Sequence, residues 1–152
     1  MGPTMWRKLT SDDERRASMK PKISLISLGV RDFAASLAFY REGLGLQTHN
    51  HTEGEEHVMF KLEGTWLSLY PRGALAADAG IADDGHGFSG ITLAHNVASK
   101  AEVDRLFAKV VAVGGRAVKT PREASWGGYS SYFADPDGYL WEIAFNPFTD
   151  LT

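Results

Sequence analysis

A chain of 152 residues, 43% of them apolar, is the size of one ordinary domain and long enough to bury a core without metal or disulfide staples. The absence of cysteine excludes a disulfide, a thiolate nucleophile and a zinc–cysteine site. A formal net charge of −3 with mixed signs offers no broad basic field for a nucleic-acid backbone, and no apolar run reaches membrane length, so a soluble, cytoplasmic protein with neither partner is expected.

Residues 1–21 read as a leader. Its charged residues Lys8, Asp12, Asp13, Glu14, Arg15 and Arg16 leave no apolar core for a secretory signal. Ser11 and Glu14 have the spacing of a capping box, the alternative being a mobile leader; no function is assigned to it. From Ile23 to Val30, Ile26, Leu28 and Val30 alternate with Leu25, Ser27 and Gly29, which predicts a strand buried on both faces. Asp32 is placed to cap a helix on which Phe33, Leu37 and Tyr40 recur at helical spacing, until Gly43 and Gly45 stop it. Three short strands follow, at Leu46 to His51, His57 to Leu62 and Thr65 to Tyr70.

The stretch Leu75 to Gly87, rich in Ala, Asp and Gly, reads as a linker. The pattern then restarts. Ile91 and Leu93 mark a strand, Ser99 caps a helix carrying Val103, Leu106, Phe107 and Val110, and Gly114-Gly115 ends it. Arg116 to Thr120, Tyr129 to Ala134 and Tyr139 to Phe145 are three further strands, bounded by Pro121, by Gly127-Gly128 and by the turn Asp135-Pro136-Asp137-Gly138. The chain is thus two βαβββ modules, 22–72 and 88–147, joined by 73–87 and followed by a tail, 148–152. A repeat of this length occurring only twice suggests paired modules with a ligand cleft at their seam rather than an array.

Val30-Arg31-Asp32, Ser36, Phe39-Tyr40 and Gly43-Leu44-Gly45-Leu46 in the first half, with Tyr132 to Gly138 leading into Leu140-Trp141-Glu142-Ile143 in the second, carry a family likeness. In their order and placement these motifs resemble the glyoxalase, bleomycin-resistance and extradiol-dioxygenase superfamily, also called vicinal oxygen chelate proteins. The resemblance implies an α+β fold in which paired βαβββ modules form a curved eight-stranded mixed sheet around a cavity, and a homodimer. Metal-dependent members hold a divalent ion with side chains from the first and fourth strands of each module, so that two neighbouring substrate oxygens can be chelated. Carried onto this sequence, those positions fall at Leu25, near Ser68, near Gly90 and on Glu142. Only Glu142 offers a metal-binding carboxylate, and one anionic ligand does not define a tight transition-metal site. The resemblance therefore implies a protein binding a small molecule, aromatic or cationic, without the usual metal. The alternative is a metal-dependent lyase or extradiol dioxygenase using Glu142 and ligands elsewhere.

Strand alternation places Glu142 with Leu140 and Ala144, away from Trp141 and Ile143. If it faces the cavity it is a candidate general base or an anchor for a cationic ligand; the structural alternative is a carboxylate satisfied by a tyrosine, serine or water. Trp66, Ser68 and Tyr70 share one face, offering apolar area and two hydroxyls to a planar ligand, unless they are core. The run from Trp126 through Gly127-Gly128 to Tyr129, Ser130, Ser131 and Tyr132 reads as a ligand-lining loop or as a tight turn before a strand. His49 and His51 form an H-x-H pair that His57 could approach, although a solvated edge is the better reading. His95 is placed against the helix by alternation, and His86 sits in the linker; no phosphate-binding, zinc-protease or serine-hydrolase motif is present.

Overall fold

The structure is a computed structural model that describes residues 11, 23, 25–79, 82–85, 87–89 and 91–152. The Ser11–Glu14 capping box, His86 and Gly90 therefore lie outside the described residues, except for Ser11 itself. Both modules form. The first consists of β1 (Leu25–Val30), α1 (Phe33–Ala38), which continues as a single π turn over Phe39–Gly43, then β2 (Thr48–His49), β3 (Val58–Phe60) and β4 (Trp66–Pro71). The connecting helix α2 (Arg72–Ala79) comes next, and the second module follows as β5 (Thr92–Asn96), α3 (Lys100–Ala112), β6 (Arg116–Glu123), β7 (Tyr129–Ala134) and β8 (Leu140–Phe145).

The eight strands do not join into one sheet. They form two four-stranded mixed sheets of matching order, β1-β4-β3-β2 and β5-β8-β7-β6, each with one parallel pair at the module's first strand. The helix side of each sheet is the core side. Leu28, Val30, Val58, Phe60, Leu67 and Leu69 of the first module and Val103, Phe107, Val110, Phe133 and Ile143 of the second belong to a single buried cluster. Sheets whose apolar faces share one cluster remove more apolar surface from water than either could alone.

Helix starts follow the sequence. The Asp32 carboxylate accepts from the Ala35 backbone N–H at 2.9 Å, and Ser99 Oγ accepts from Glu102 N while Glu102 Oε2 accepts from Ala98 N, a reciprocal cap. Two local features go beyond the pattern read from the sequence. The linker opens with a helix, α2, whose Arg72 is ion-paired with Asp83 further along the connection. Pro121 does not end β6, which runs on to Glu123; β6 is an edge strand with two register irregularities, the setting in which a residue lacking an N–H is tolerated.

The modules are pinned together by the Asp135–Gly138 turn. The Asp137 carboxylate accepts from the Arg31 backbone N–H at 2.7 Å and from Ser36 Oγ at 3.0 Å, and the Tyr139 hydroxyl donates to the Gly29 carbonyl at 2.8 Å. Behind it, Tyr40 donates to Asp135 Oδ2 at 2.8 Å and accepts from Trp141 Nε1 at 3.0 Å. Among the described residues no helix is long and apolar enough to cross a membrane.

Candidate functional site on the open sheet faces

Each sheet has a second face, turned away from the helices. On the first sheet, alternation along β4 buries Leu67 and Leu69 in the core and leaves Trp66, Ser68 and Tyr70 together on the open face. Two imidazoles join them. The His49 ring lies edge-on to Trp66 at 4.8 Å between centroids, and His57 lies 4.1 Å from Tyr70. Between the two pairs, Met59 is opposite Ser68. The Ser68 hydroxyl is fully buried and shares a 2.7 Å hydrogen bond with Ser27 Oγ, its register partner on β1. One of its hydrogen-bonding positions is thus used within the sheet.

On the second sheet Glu142 takes the predicted side. Trp141 and Ile143 point into the core, Phe133 stacking on Trp141 at 6.2 Å, while Glu142 is paired across the strands with Tyr132 on one side and Ala94 on the other. Burial and the Glu142 carboxylate beside it hold the Tyr132 phenol above its ordinary range. Glu142 and Tyr132 form the polar centre of this face.

The aromatic run before β7 is divided. Tyr129 faces the helices, its hydroxyl donating to Asp104 Oδ1 of α3 at 2.7 Å, and that bond raises its pKa. Trp126 is 45% exposed in the hairpin turn, its ring folded back over Gly128 so that a Cβ there would fall inside the indole. The glycines thus serve the turn, and Tyr129 does not join Tyr132 on the open face. His95 is exposed and pairs in register with Ile143, one residue away from Glu142.

The H-x-H pair is also broken. Asn50 adopts a positive φ of 49°, which ends β2 and turns the next side chain over. His49 consequently reaches Trp66, while the His51 side chain is only 3% exposed, close to Phe33 of α1, with Nδ1 3.2 Å from the His57 carbonyl.

The metal positions implied by the resemblance do not fit a divalent ion. Leu25 carries no donor and is 39% exposed, Ser68 is engaged with Ser27, and Gly90 has no side chain to offer. Among the described residues no group of three or more His, Asp or Glu side chains is gathered where one ion would sit.

An open pocket of about 390 Å³ lies at the end of β5 and β8 under the C-terminal segment, lined by Asn96, Phe145 and Phe148 among others. Another of about 400 Å³ lies beside Arg31, Arg72 and Asp83. Neither reaches Trp66, Tyr70, Tyr132 or Glu142. With Leu25, Thr92 and Ala94 exposed beside them, the two faces are open surfaces in a single copy.

Solved structures share this architecture. A glyoxalase-related enzyme from Fulvimarina pelagi is 34% identical, with a TM-score of 0.79 over 88% of this chain and 94% of that one. A lactoylglutathione lyase from Agrobacterium tumefaciens is 26% identical, with a TM-score of 0.62 over 84% and 96%. A glyoxalase/bleomycin resistance protein/dioxygenase family enzyme from Burkholderia phytofirmans, 21% identical with a TM-score of 0.72 over 82% and 98%, shares the fold. No match is found among proteins of curated function. The family model of the glyoxalase/bleomycin resistance protein/dioxygenase superfamily matches residues 22–143, spanning both modules, and the chain belongs to that superfamily.

Proposed function

We propose that this protein binds a small planar molecule on the open faces of its sheets, without the divalent ion that many relatives use. The observation that carries this reading is the makeup of those faces: Trp66 and Tyr70, each beside an imidazole, and Tyr132 beside Glu142, the one carboxylate among the four implied metal positions, the others being Leu25, Ser68 and Gly90. Aromatic side chains present large rigid area at low entropic cost, and a few placed polar groups then orient the bound molecule. Trp66, Tyr70, Tyr132 and Glu142 are the residues assigned to contact it, and Glu142 is a candidate general base should a reaction follow.

Because both faces are open in one copy, the site is completed by a second. A homodimer that lays the Trp66 face of one protomer against the Glu142 face of its partner would convert two exposed half-sites into enclosed ones. The likeness to a lactoylglutathione lyase supports a second reading, a metal-dependent lyase or dioxygenase in which Glu142 is joined by ligands from the partner subunit.

The binding reading is tested by thermal-shift screening of planar aromatic compounds against wild type and Trp66→Ala, both first checked for an intact fold. Saturable stabilisation of wild type, weakened about tenfold or more by loss of the indole, is expected. Equal stabilisation of the two proteins would remove the Trp66 face from the site.

A further inference from the structure

The eight strands contain two carboxylates, Glu123 and Glu142, and three basic side chains, Arg116, Lys119 and Arg122, all on β6 except Glu142. The sheet sorts them by sign. Glu123 lies opposite Tyr129 and is ion-paired with Lys100 of α3, whose ammonium sits 5.7 Å from the Tyr129 ring centroid; this carboxylate belongs to the helix side. Arg116, Lys119 and Arg122 lie opposite Ala134, Tyr132 and Ser130, the β7 positions that alternate with core-facing Phe133. All three cations are therefore on the open face.

Simple alternation would not have done this. Residues three apart on a regular strand point to opposite faces, so Lys119 would be split from Arg116 and Arg122. The register shifts between Ala117 and Lys119 and between Lys119 and Arg122 each reset the parity and bring the three to one side. Lys119, Tyr132 and Glu142 then form one row across the sheet. Glu142 is the one strand carboxylate on this face, so three cations outnumber it there, in a chain whose formal net charge is −3. On the other open face the strands contribute no carboxylate, and Lys61 follows Met59 after β3.

A cationic ligand would meet this surplus as repulsion, and an anionic one as attraction. Resting on the small-molecule reading above, we propose that the ligand is a planar aromatic monoanion of the aryl carboxylate class, its ring against Tyr132 and its charge held by Lys119 and Arg122. Glu142 opposes that charge and limits the affinity, so its neutralisation strengthens binding. The earlier expectation of an aromatic or cationic ligand is thereby narrowed to the aromatic and reversed in sign.

The test uses three probes of one ring system, 2-naphthoate, 2-naphthamide and 2-naphthylmethylammonium, titrated calorimetrically into the full chain at low and high salt. Naphthoate is expected to bind about tenfold or more tighter than the amide, as one charge-assisted contact implies, with the ammonium weakest and the preference shrinking as salt screens it. Arg122→Glu and Lys119→Glu, both outside the core and checked for an intact fold by circular dichroism, should abolish the preference, and Glu142→Gln should increase it. Equal binding of all three probes, or tightest binding of the ammonium, would overturn the proposal while leaving the small-molecule site standing. Binding of none would remove the site and the proposal together. A dimer lost in Arg122→Glu, seen by sedimentation velocity without any naphthoate preference, would assign the cations to the second copy and equally overturn it.

Discussion

Asp135 is 4% exposed and accepts three hydrogen bonds, from the Tyr40 hydroxyl and from the backbone N–H groups of Asp137 and Tyr139. Burial outweighs these donors and raises its pKa above the ordinary aspartate value. The folded chain therefore holds this proton at pH values where the unfolded chain has released it, so Asp135 makes stability fall as pH rises from the ordinary aspartate value to the raised one. Equilibrium denaturation of wild type and Asp135→Asn across the acid range should show wild type losing stability relative to the variant over that window; a constant difference would refute the assignment. Tyr40→Phe removes both the donor to Asp135 and the acceptor of Trp141 Nε1, and a loss of about 1–3 kcal/mol per abandoned group is expected from urea midpoints. At this scale the sequence was partly legible. Alternation placed Trp66, Ser68 and Tyr70 on one strand face and Glu142 opposite Trp141, as in the structure, but it could not show that Ser68 bonds to Ser27 or that Tyr129 is held by Asp104, because those partners are distant in sequence.

Among the elements, α3 was the most readable: Ser99 begins it, Val103, Phe107 and Val110 are its buried stripe, and Gly114-Gly115 closes it. Ser99→Ala should cost about 1 kcal/mol by losing the cap to Glu102 N. Gly115→Ala should cost about 1–3 kcal/mol, because a Cβ there comes within 2.6 Å of Val110 Cγ1 and 2.9 Å of its carbonyl oxygen; thermal unfolding of the two variants checks both, and an unchanged Tm for Gly115→Ala would contradict the close approach. The strands were less legible where local backbone geometry overrides the two-residue period. Asn50 ends β2 early and separates His49 from His51. In β6 the same period hid the basic row, since only the pairing with β7 reveals the two register shifts. Pro121, expected to bound β6, sits inside it, because β6 lies at the sheet edge, where a residue without an N–H is tolerated.

For the whole molecule, the internal repeat revealed both modules, while the way they combine depended on contacts that no periodicity encodes. The α+β fold of paired βαβββ modules is as expected, with its eight strands arranged as two four-stranded sheets that share a core on their helix sides and leave their other faces open. A joint core, reinforced by the Asp137 and Tyr40 contacts between modules, should make unfolding a single cooperative transition, with calorimetric and van't Hoff enthalpies in agreement; two separate transitions would mean that the modules fold independently. The same arrangement explains why the proposed site was only half legible: its candidate residues could be placed on faces, but not the faces against each other. The central claim, a binding site that works without the usual ion, is tested most directly by metal analysis of untagged protein together with thermal shifts on adding Ni, Zn, Mn and Fe(II) to wild type and Glu142→Ala. The account predicts no stoichiometric ion and no saturable shift in either protein; a bound ion, or a stabilisation of wild type that disappears in Glu142→Ala, would contradict it and make the metal-dependent reading the leading one.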